Sequence, residues 1–181
     1  MLTNLLEQHK ATIVDKWIQI VKNSYPAETA RFLKAQNDPF SNPVGNTIST
    51  GLAALFEVLL KGAEPDSAKS LLDPVLRIRA IQSFTPSQAT NFLFSLKTII
   101  KEVLGKEIVK DKQSMDDWFI LETKIDQLIR LGFDIYMECV TKLYEIKATE
   151  MKKRTFSAFE RAGLVKDNTE QAGFNIITNQ V

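Results

Sequence analysis

The residues of this chain that could carry chemistry are few, and the densest group lies in RIRAIQSFTPSQATNF at 77–92. Arg77, Arg79 and Gln82 lie there between stretches whose apolar residues recur at helical spacing. Side chains two apart on a helix point to different faces, so we expect one arginine to be solvated or to cap carbonyls. The other is predicted to meet a carboxylate on a neighbouring helix, or a partner. These three residues and Phe84 are candidate contacts for a partner or ligand.

The Thr-Pro-Ser-Gln segment of the same stretch has a structural explanation. Thr85 is predicted to be the N-cap of a helix, and Pro86 suits its first position because proline has no N–H to lose. Gln88 can reach back to the backbone of Thr85 and complete a capping box. A helix is therefore predicted to begin after Thr85, and this segment needs no functional role.

The other reactive side chains form no catalytic or metal-binding pattern. The single histidine, His9, lies on or beside the apolar face of the first helix, so no serine or cysteine triad can be assembled and no axial imidazole comes from the later helices for haem. Asp116, Asp117 and Glu122 cluster where the last helix begins, and negative charge is favourable there. Cys139 lies within an apolar helix and is interpreted as a buried hydrophobe. We expect no enzyme activity, no metal and no cofactor.

The composition is typical of one globular domain and excludes two classes of partner. The 181 residues are 44% apolar and 25% charged, and 23 basic residues balance 22 acidic ones to a net charge of +1. This balance argues against nucleic acid, which usually requires a basic face. The longest apolar run, GLAALFEVLLKG at 51–62, is too short and too charged to cross a bilayer. One cysteine fits a reducing compartment, so we expect a cytoplasmic protein without a membrane partner.

Helical spacing over nearly the whole chain predicts an all-α fold. We expect a first helix over residues 2–21, a short second helix with Pro26 in its first turn, and a third that ends near Gly62. A helix around Pro74, one that ends at Gly105 and a long last helix that continues toward Gly163 follow. Pro74 either follows Asp73 as a first helical residue or kinks a longer helix. The core is expected around Trp17, Leu55, Phe92 and Trp118.

The end of the long helix is a second candidate contact region. KATEMKKRTFSAFERAG at 147–163 combines five basic side chains with Phe156 and Phe159, which lie three apart on one face. The segment is interpreted either as a solvated helix end or as a docking arm in which the two phenylalanines are anchors. We divide the chain into a domain at 1–150, a continuing helix or docking arm at 151–164 and a flexible tail at 165–181.

Three segments carry a family resemblance: YPAETARFL at 25–33, DPFSNPVG at 38–45 and, most specifically, LLDPVLRIRAIQSFTPSQATNFLFSLK at 71–97. They resemble the N-terminal sensory domain of RsbR/RsbRD-type proteins, which are RsbT co-antagonists of bacterial stressosomes. The resemblance covers roughly residues 1 to 150. It implies a globin-like helical bundle without haem, usually dimeric, that senses a signal and passes it on.

In that family a STAS domain, phosphorylated by a serine/threonine kinase, typically follows. The residues after Gly163 are too few for such a domain, so output is expected through the dimer or through a separate STAS-domain or kinase-type protein. Our prediction is a non-enzymatic, homodimeric sensory domain in bacterial stress or redox signalling. The alternative is a small-ligand carrier with an apolar pocket between helices, lined by aromatic residues such as Phe84, Phe92 and Phe94.

Overall fold

The protein is a bundle of α-helices, as the apolar spacing predicts. A computed structural model describes residues 2–35, 38, 40–62 and 65–164, and no strand occurs in that part of the chain. The helices are α1 (Leu2–Gln8), α2 (Lys10–Asn23), α3 (Ala27–Ala35), α4 (Pro43–Lys61), α5 (Pro65–Ile81), α6 (Pro86–Ile108) and α7 (Lys112–Arg161). The all-α class and the long C-terminal helix are confirmed. The predicted flexible tail at 165–181 lies outside the described residues.

The chain divides into two compact units, Met1–Leu143 and Tyr144–Val181. The first unit holds the core, where α2 packs on α4 and α6, and α4 packs on α5. Trp17, Leu55, Phe92 and Trp118 are all buried there, as predicted. Of the second unit the structure describes the end of α7 and the residues up to Leu164, and most of their side chains are exposed.

Local chemistry sets where several helices begin and end. The Asn42 side chain accepts a hydrogen bond from the Gly45 N–H at 2.8 Å and caps α4, whose first residue is a proline. Gly62 ends that helix with a φ of 64°, a conformation that glycine adopts without strain. The predicted capping box of α6 is present, since Thr85 and Gln88 bond each other's backbone N–H groups.

Two helices differ from the simplest prediction. The expected first helix is divided at His9 into α1 and α2. Pro74 lies inside α5, so of the two alternatives it belongs to a longer helix and not to a helix start. The polar segment before α7 also supplies an unpredicted cap, because an Asp111 oxygen accepts the Ser114 N–H at 2.8 Å.

One described helix, α4, is long and apolar enough to cross a membrane by length and composition alone. Its apolar face contains Ile48, Leu52 and Leu55, which are buried in the core. Its Glu57 forms an ion pair with Lys10 of α2. These contacts are those of a core helix in a helical bundle.

Candidate functional site: the Arg79 cluster

Arg79, the second arginine of the RIR motif, is the most deeply buried charged side chain in the described part of the chain. Only 1% of it is exposed, although it lies near the end of α5. Arginine is rarely buried to this extent without a partner. The hydrogen-bond acceptors and rings around it therefore have to compensate its buried charge.

Two hydrogen bonds from one nitrogen join Arg79 to the ends of two other helices. The Arg79 Nη2 donates to Ser24 Oγ and to the Gln88 carbonyl oxygen, each at 2.9 Å. Ser24 follows α2, and its hydroxyl donates in turn to the Val21 carbonyl at 2.6 Å. The positive charge thus lies at the C-terminal end of α2, where the helix dipole favours a cation.

Three aromatic rings surround the guanidinium group. Its carbon lies 4.2 Å from the ring centroid of Phe84, 5.4 Å from that of Tyr25 and 5.8 Å from that of Phe92. Rings at these distances attract a cation through their negative faces. Ser24, Tyr25, Arg79, Phe84 and Phe92 are called the Arg79 cluster below.

The backbone at the end of α5 brings two members of the cluster together. The Phe84 N–H bonds the Arg79 carbonyl at 3.3 Å and the Ser83 N–H bonds the Ala80 carbonyl at 3.1 Å, while Ser83 has a φ of 59°. This is the Schellman pattern of a helix end, which usually sets one apolar side chain against another at these two positions. Here the pair is Phe84 and Arg79, so the turn itself places the ring against the cation.

Two further bonds anchor this corner in the core. The Tyr136 hydroxyl of α7 donates to the Phe84 carbonyl. The Trp17 Nε1–H of α2 donates to the Phe92 carbonyl at 2.7 Å. Residues of α2, α5, α6 and α7 therefore hold the Arg79 cluster in place, and a substitution in the cluster would alter the packing of all four helices.

The cluster contains a cation without a counter-charge. No carboxylate among the described residues pairs with Arg79, and burial lowers the pKa of its guanidinium, an effect that Tyr25 opposes. Burial raises the pKa of the Tyr25 phenol, which the Arg79 charge opposes in turn. The Tyr25 and Arg79 side chains interact with each other, although the Tyr25 hydroxyl and the Arg79 Nε and Nη1 form no hydrogen bond of normal distance and angle with the described residues.

The structure separates the residues that the sequence singled out. Arg77 is exposed and pairs with Asp73 one turn away, with an Nη2–Oδ2 distance of 3.0 Å, and this bond raises the pKa of Arg77. Gln82 is exposed, whereas Phe84 is partly buried beside Arg79. Arg77 is thus solvated, as expected for one of the two arginines. Arg79 meets aromatic rings and not a carboxylate of a neighbouring helix, which was one of its two expected partners. Contact of Arg77 or Arg79 with a partner or ligand stays a prediction.

Phe156 and Phe159 lie in the second unit and are about half exposed, at 51% and 47%. Sequence reasoning missed Ser24 and Tyr25 as members of the cluster. A serine and a tyrosine directly precede Pro26, at the place where α2 must end, and Tyr25 also begins the family-like segment at 25–33. Polar side chains at helix ends are common, so this signal was weak.

The remaining reactive groups have structural roles. Cys139 is buried, and burial raises the pKa of its thiol. Asp117 accepts hydrogen bonds from the Leu2 N–H and the Gln113 side chain, while Glu122 pairs with Lys97 and Lys101 of α6. The described residues contain no group of three or more histidine, cysteine or acidic side chains that could hold a metal ion.

The described residues form an all-helical bundle with a buried cation among aromatic rings. The chain is a member of the RsbT co-antagonist protein rsbRD N-terminal domain family, whose model matches residues 11–151. This family consists of stressosome-type sensory domains of stress signalling and is not a known enzyme family. Comparison with curated proteins and with solved structures found no match.

Proposed function

We propose that this chain is a non-enzymatic sensory domain that forms a homodimer in the cytoplasm and signals to a separate STAS-domain or kinase-type protein. The observation that carries the proposal is the family match over residues 11–151, which includes most of the core and the whole Arg79 cluster. A globin-like arrangement of the helices without haem is part of the proposal. It is consistent with the single histidine, His9, which lies at the junction of α1 and α2.

Exposed apolar side chains on α7 support a homodimer. Phe119, Phe133 and Met137 have 58%, 48% and 39% of their surface exposed within the first unit. Phe133 and Met137 lie four apart and share one face of the helix. An open groove lined by residues that include Ala11, Val14 and Ile18 follows α1 and α2. We propose that the dimer interface combines the first helices with this part of α7, since exposed apolar side chains in groups mark interaction sites.

Size-exclusion chromatography with light scattering tests the dimer. The wild-type protein is expected at twice the 20.5 kDa mass of one chain. Replacing Phe133 and Met137 with aspartate is expected to give a folded monomer, because two buried carboxylates would face the partner. Phe40→Asp is the matched control, since this phenylalanine is 96% exposed on another part of the chain. A wild-type monomer at micromolar concentration would contradict the proposal.

The second unit is proposed to be the docking arm for the signalling partner. Its described helix presents Phe156 and Phe159, each about half exposed and three apart on one face, among several lysines and arginines. Apolar anchors on one face of a helix are a common means of binding a groove in a partner. Because the compact division falls at Tyr144, we expect a chain shortened after residue 147 to keep the first unit folded.

Partner capture from the native cytoplasm, read out by mass spectrometry, tests the arm. The double variant Phe156→Ser/Phe159→Ser is expected to keep the dimer and to lose a captured STAS-domain or kinase-type chain. Met151→Ser is the control, because this side chain is 71% exposed on the same helix. Deletion of residues 148–181 should act like the double variant. If that deletion changes neither the dimer nor the captured proteins, the docking arm has no role.

The alternative from the sequence, a small-ligand carrier, requires aromatic side chains that line an apolar pocket. In the structure Trp17, Phe56 and Phe92 are core residues packed among aliphatic neighbours, and Phe94 is 53% exposed. These positions favour the regulatory proposal over the carrier.

A further inference from the structure

The exposed cations near the end of α7 have no carboxylate partner in the part of the chain that the structure describes. All ion pairs between described residues lie in the first unit, where Lys97 and Lys101, for example, share Glu122. Residues 144–164 carry five basic and three acidic side chains, which leaves an excess of two positive charges. The basic residues are Lys147, Lys152, Lys153, Arg154 and Arg161. This segment therefore presents a positive surface to its surroundings.

Two of these lysines lie on the same side of the helix as the two exposed phenylalanines. Lys152 precedes Phe156 by four residues and Phe156 precedes Phe159 by three, so these three side chains form one stripe. The steps along the helix axis are about 6 Å and about 4.5 Å, because each residue of a helix rises by about 1.5 Å. Lys153 precedes Phe156 by three residues and borders the same stripe. The two rings thus have cations at their N-terminal end.

Two other cations lie on the opposite side of the helix and provide a comparison. Arg161 follows Phe159 by two residues and Lys147 precedes Phe156 by nine, which are about half a turn and about two and a half turns of a helix. The Lys147 ammonium lies 6.0 Å from the centroid of the Tyr144 ring. Positive charge is thus present on both sides, but only one side combines it with Phe156 and Phe159.

We infer that the partner of the docking arm has an apolar groove with an acidic rim, in which Phe156 and Phe159 fill the groove and carboxylates meet Lys152 and Lys153. The inference rests on the proposed docking arm and adds the chemistry of its partner. Opposite charges beside an apolar groove speed association and disfavour partners of the wrong sign. A second copy of this chain fits less well, because its own segment at 144–164 carries the same excess of positive charge.

Charge reversal in the full chain tests the inference. The probe is the purified protein that the wild type captures and that Phe156→Ser/Phe159→Ser does not, and its dissociation constant is measured by titration at low and at high salt. Lys152→Glu/Lys153→Glu is expected to raise this constant at least about tenfold, because like charges would then face each other across the rim. Lys152→Gln/Lys153→Gln should have a smaller effect of the same sign. High salt should weaken binding of the wild type, since it screens exposed charges.

Lys147→Glu/Arg161→Glu is the matched control, because it changes the net charge equally on the opposite side of the helix. Its dissociation constant is expected to change less than about threefold, as for exposed charges outside an interface. An effect as large as that of Lys152→Glu/Lys153→Glu would overturn the inference and assign binding to net charge.

The remaining outcomes separate this inference from the docking arm itself. Equal affinity of the wild type and Lys152→Glu/Lys153→Glu would overturn the acidic rim and leave the docking arm in place. If Phe156→Ser/Phe159→Ser captures the same proteins as the wild type, the docking arm fails and the acidic rim with it. A dimer lost on deletion of residues 148–181 would assign the arm to a second copy. Sedimentation of the wild type, but not of this deletion, with phosphatidylglycerol vesicles would assign it to a lipid surface, and either result would overturn the inference.

Discussion

Replacement of Arg79 is the perturbation that most directly tests how the core is held together. Arg79→Ala removes the group that bonds Ser24 Oγ and the Gln88 carbonyl, each at 2.9 Å, and empties the space between three aromatic rings. Arg79→Met removes the same charge and hydrogen bonds but keeps most of the side-chain volume. The two variants together separate the polar contribution from the packing contribution.

The expected losses of stability follow from opposing terms. Two hydrogen bonds from a charged donor contribute about 1.5–3 kcal/mol each, and removal of the donor leaves buried acceptors unsatisfied. Removal of the buried charge also relieves its desolvation cost, which offsets much of that loss. We therefore expect Arg79→Met to lower the free energy of unfolding by about 1–2 kcal/mol. Arg79→Ala adds a cavity that costs about 2 kcal/mol more.

Urea unfolding followed by far-ultraviolet circular dichroism measures these differences, at one fixed protein concentration because dimerisation would add to the apparent stability. Arg79→Lys completes the series. A lysine keeps the charge but cannot bond both acceptors with a planar group or stack on the rings, so we expect it to be no more stable than Arg79→Met. Arg77→Ala is the control and should stay close to the wild type, since this side chain is exposed and pairs only with Asp73.

The reasoning fails if Arg79→Ala costs less than about 1 kcal/mol, a typical value for an ordinary substitution. Such a result would mean that α2, α5 and α6 hold together without the guanidinium. It also fails if Arg79→Met and Arg79→Ala are equally stable, because the cavity term would then be absent. An Arg77→Ala variant as unstable as Arg79→Ala would assign the effect to charge in general and not to burial.

Three further predictions concern the same core. Burial raises the pKa of the Tyr25 phenol above 10.0, so the contribution of its neutral form to stability is present at neutral pH and is lost as pH rises above 10.0. The free energy of unfolding, measured by urea at a series of alkaline pH values, should therefore fall less with rising pH in Tyr25→Phe than in the wild type. Thr85→Ala removes the capping box of α6 and should cost about 1 kcal/mol in thermal or urea unfolding, whereas an unchanged stability would contradict the capping role. Gly105→Ala, whose added methyl group meets nothing within 4 Å, should stabilise α6 by about 1 kcal/mol. The same change at Gly132 would place Cβ 2.4 Å from Leu93 Cδ1 and should be less favourable, so equal effects at the two glycines in urea unfolding would refute this contact.

Several features of the fold could be predicted because their causes are local in the sequence. The capping box at Thr85 and Gln88 needs only residues three apart, and the end of α4 at Gly62 needs only one glycine in a left-handed conformation. The division at His9 was missed, since α1 and α2 continue the same apolar face across it and periodicity cannot detect such an interruption. Pro74 stayed ambiguous because proline fits both a helix start and a kinked helix.

The candidate site was predictable only in part. The sequence singled out Arg77 and Arg79 and indicated that they would face in different directions, which the helical geometry of α5 alone determines. It did not indicate which one would be buried. Because both arginines lie among apolar residues, the choice depends on which face of α5 the other helices cover.

The sequence by itself determined the helical class, the family, the capping of α6 and the scarcity of catalytic groups, since each of these follows from residue types and short spacings. Only the tertiary structure decided that the buried cation meets Tyr25 and Ser24, which lie more than fifty residues earlier in the chain, in place of a carboxylate. The physical reason is that the surroundings of Arg79 form only when the end of α2, the Schellman turn after α5 and the rings of Tyr25 and Phe92 pack together. Short spacings in the sequence do not indicate a contact between segments so far apart in the chain.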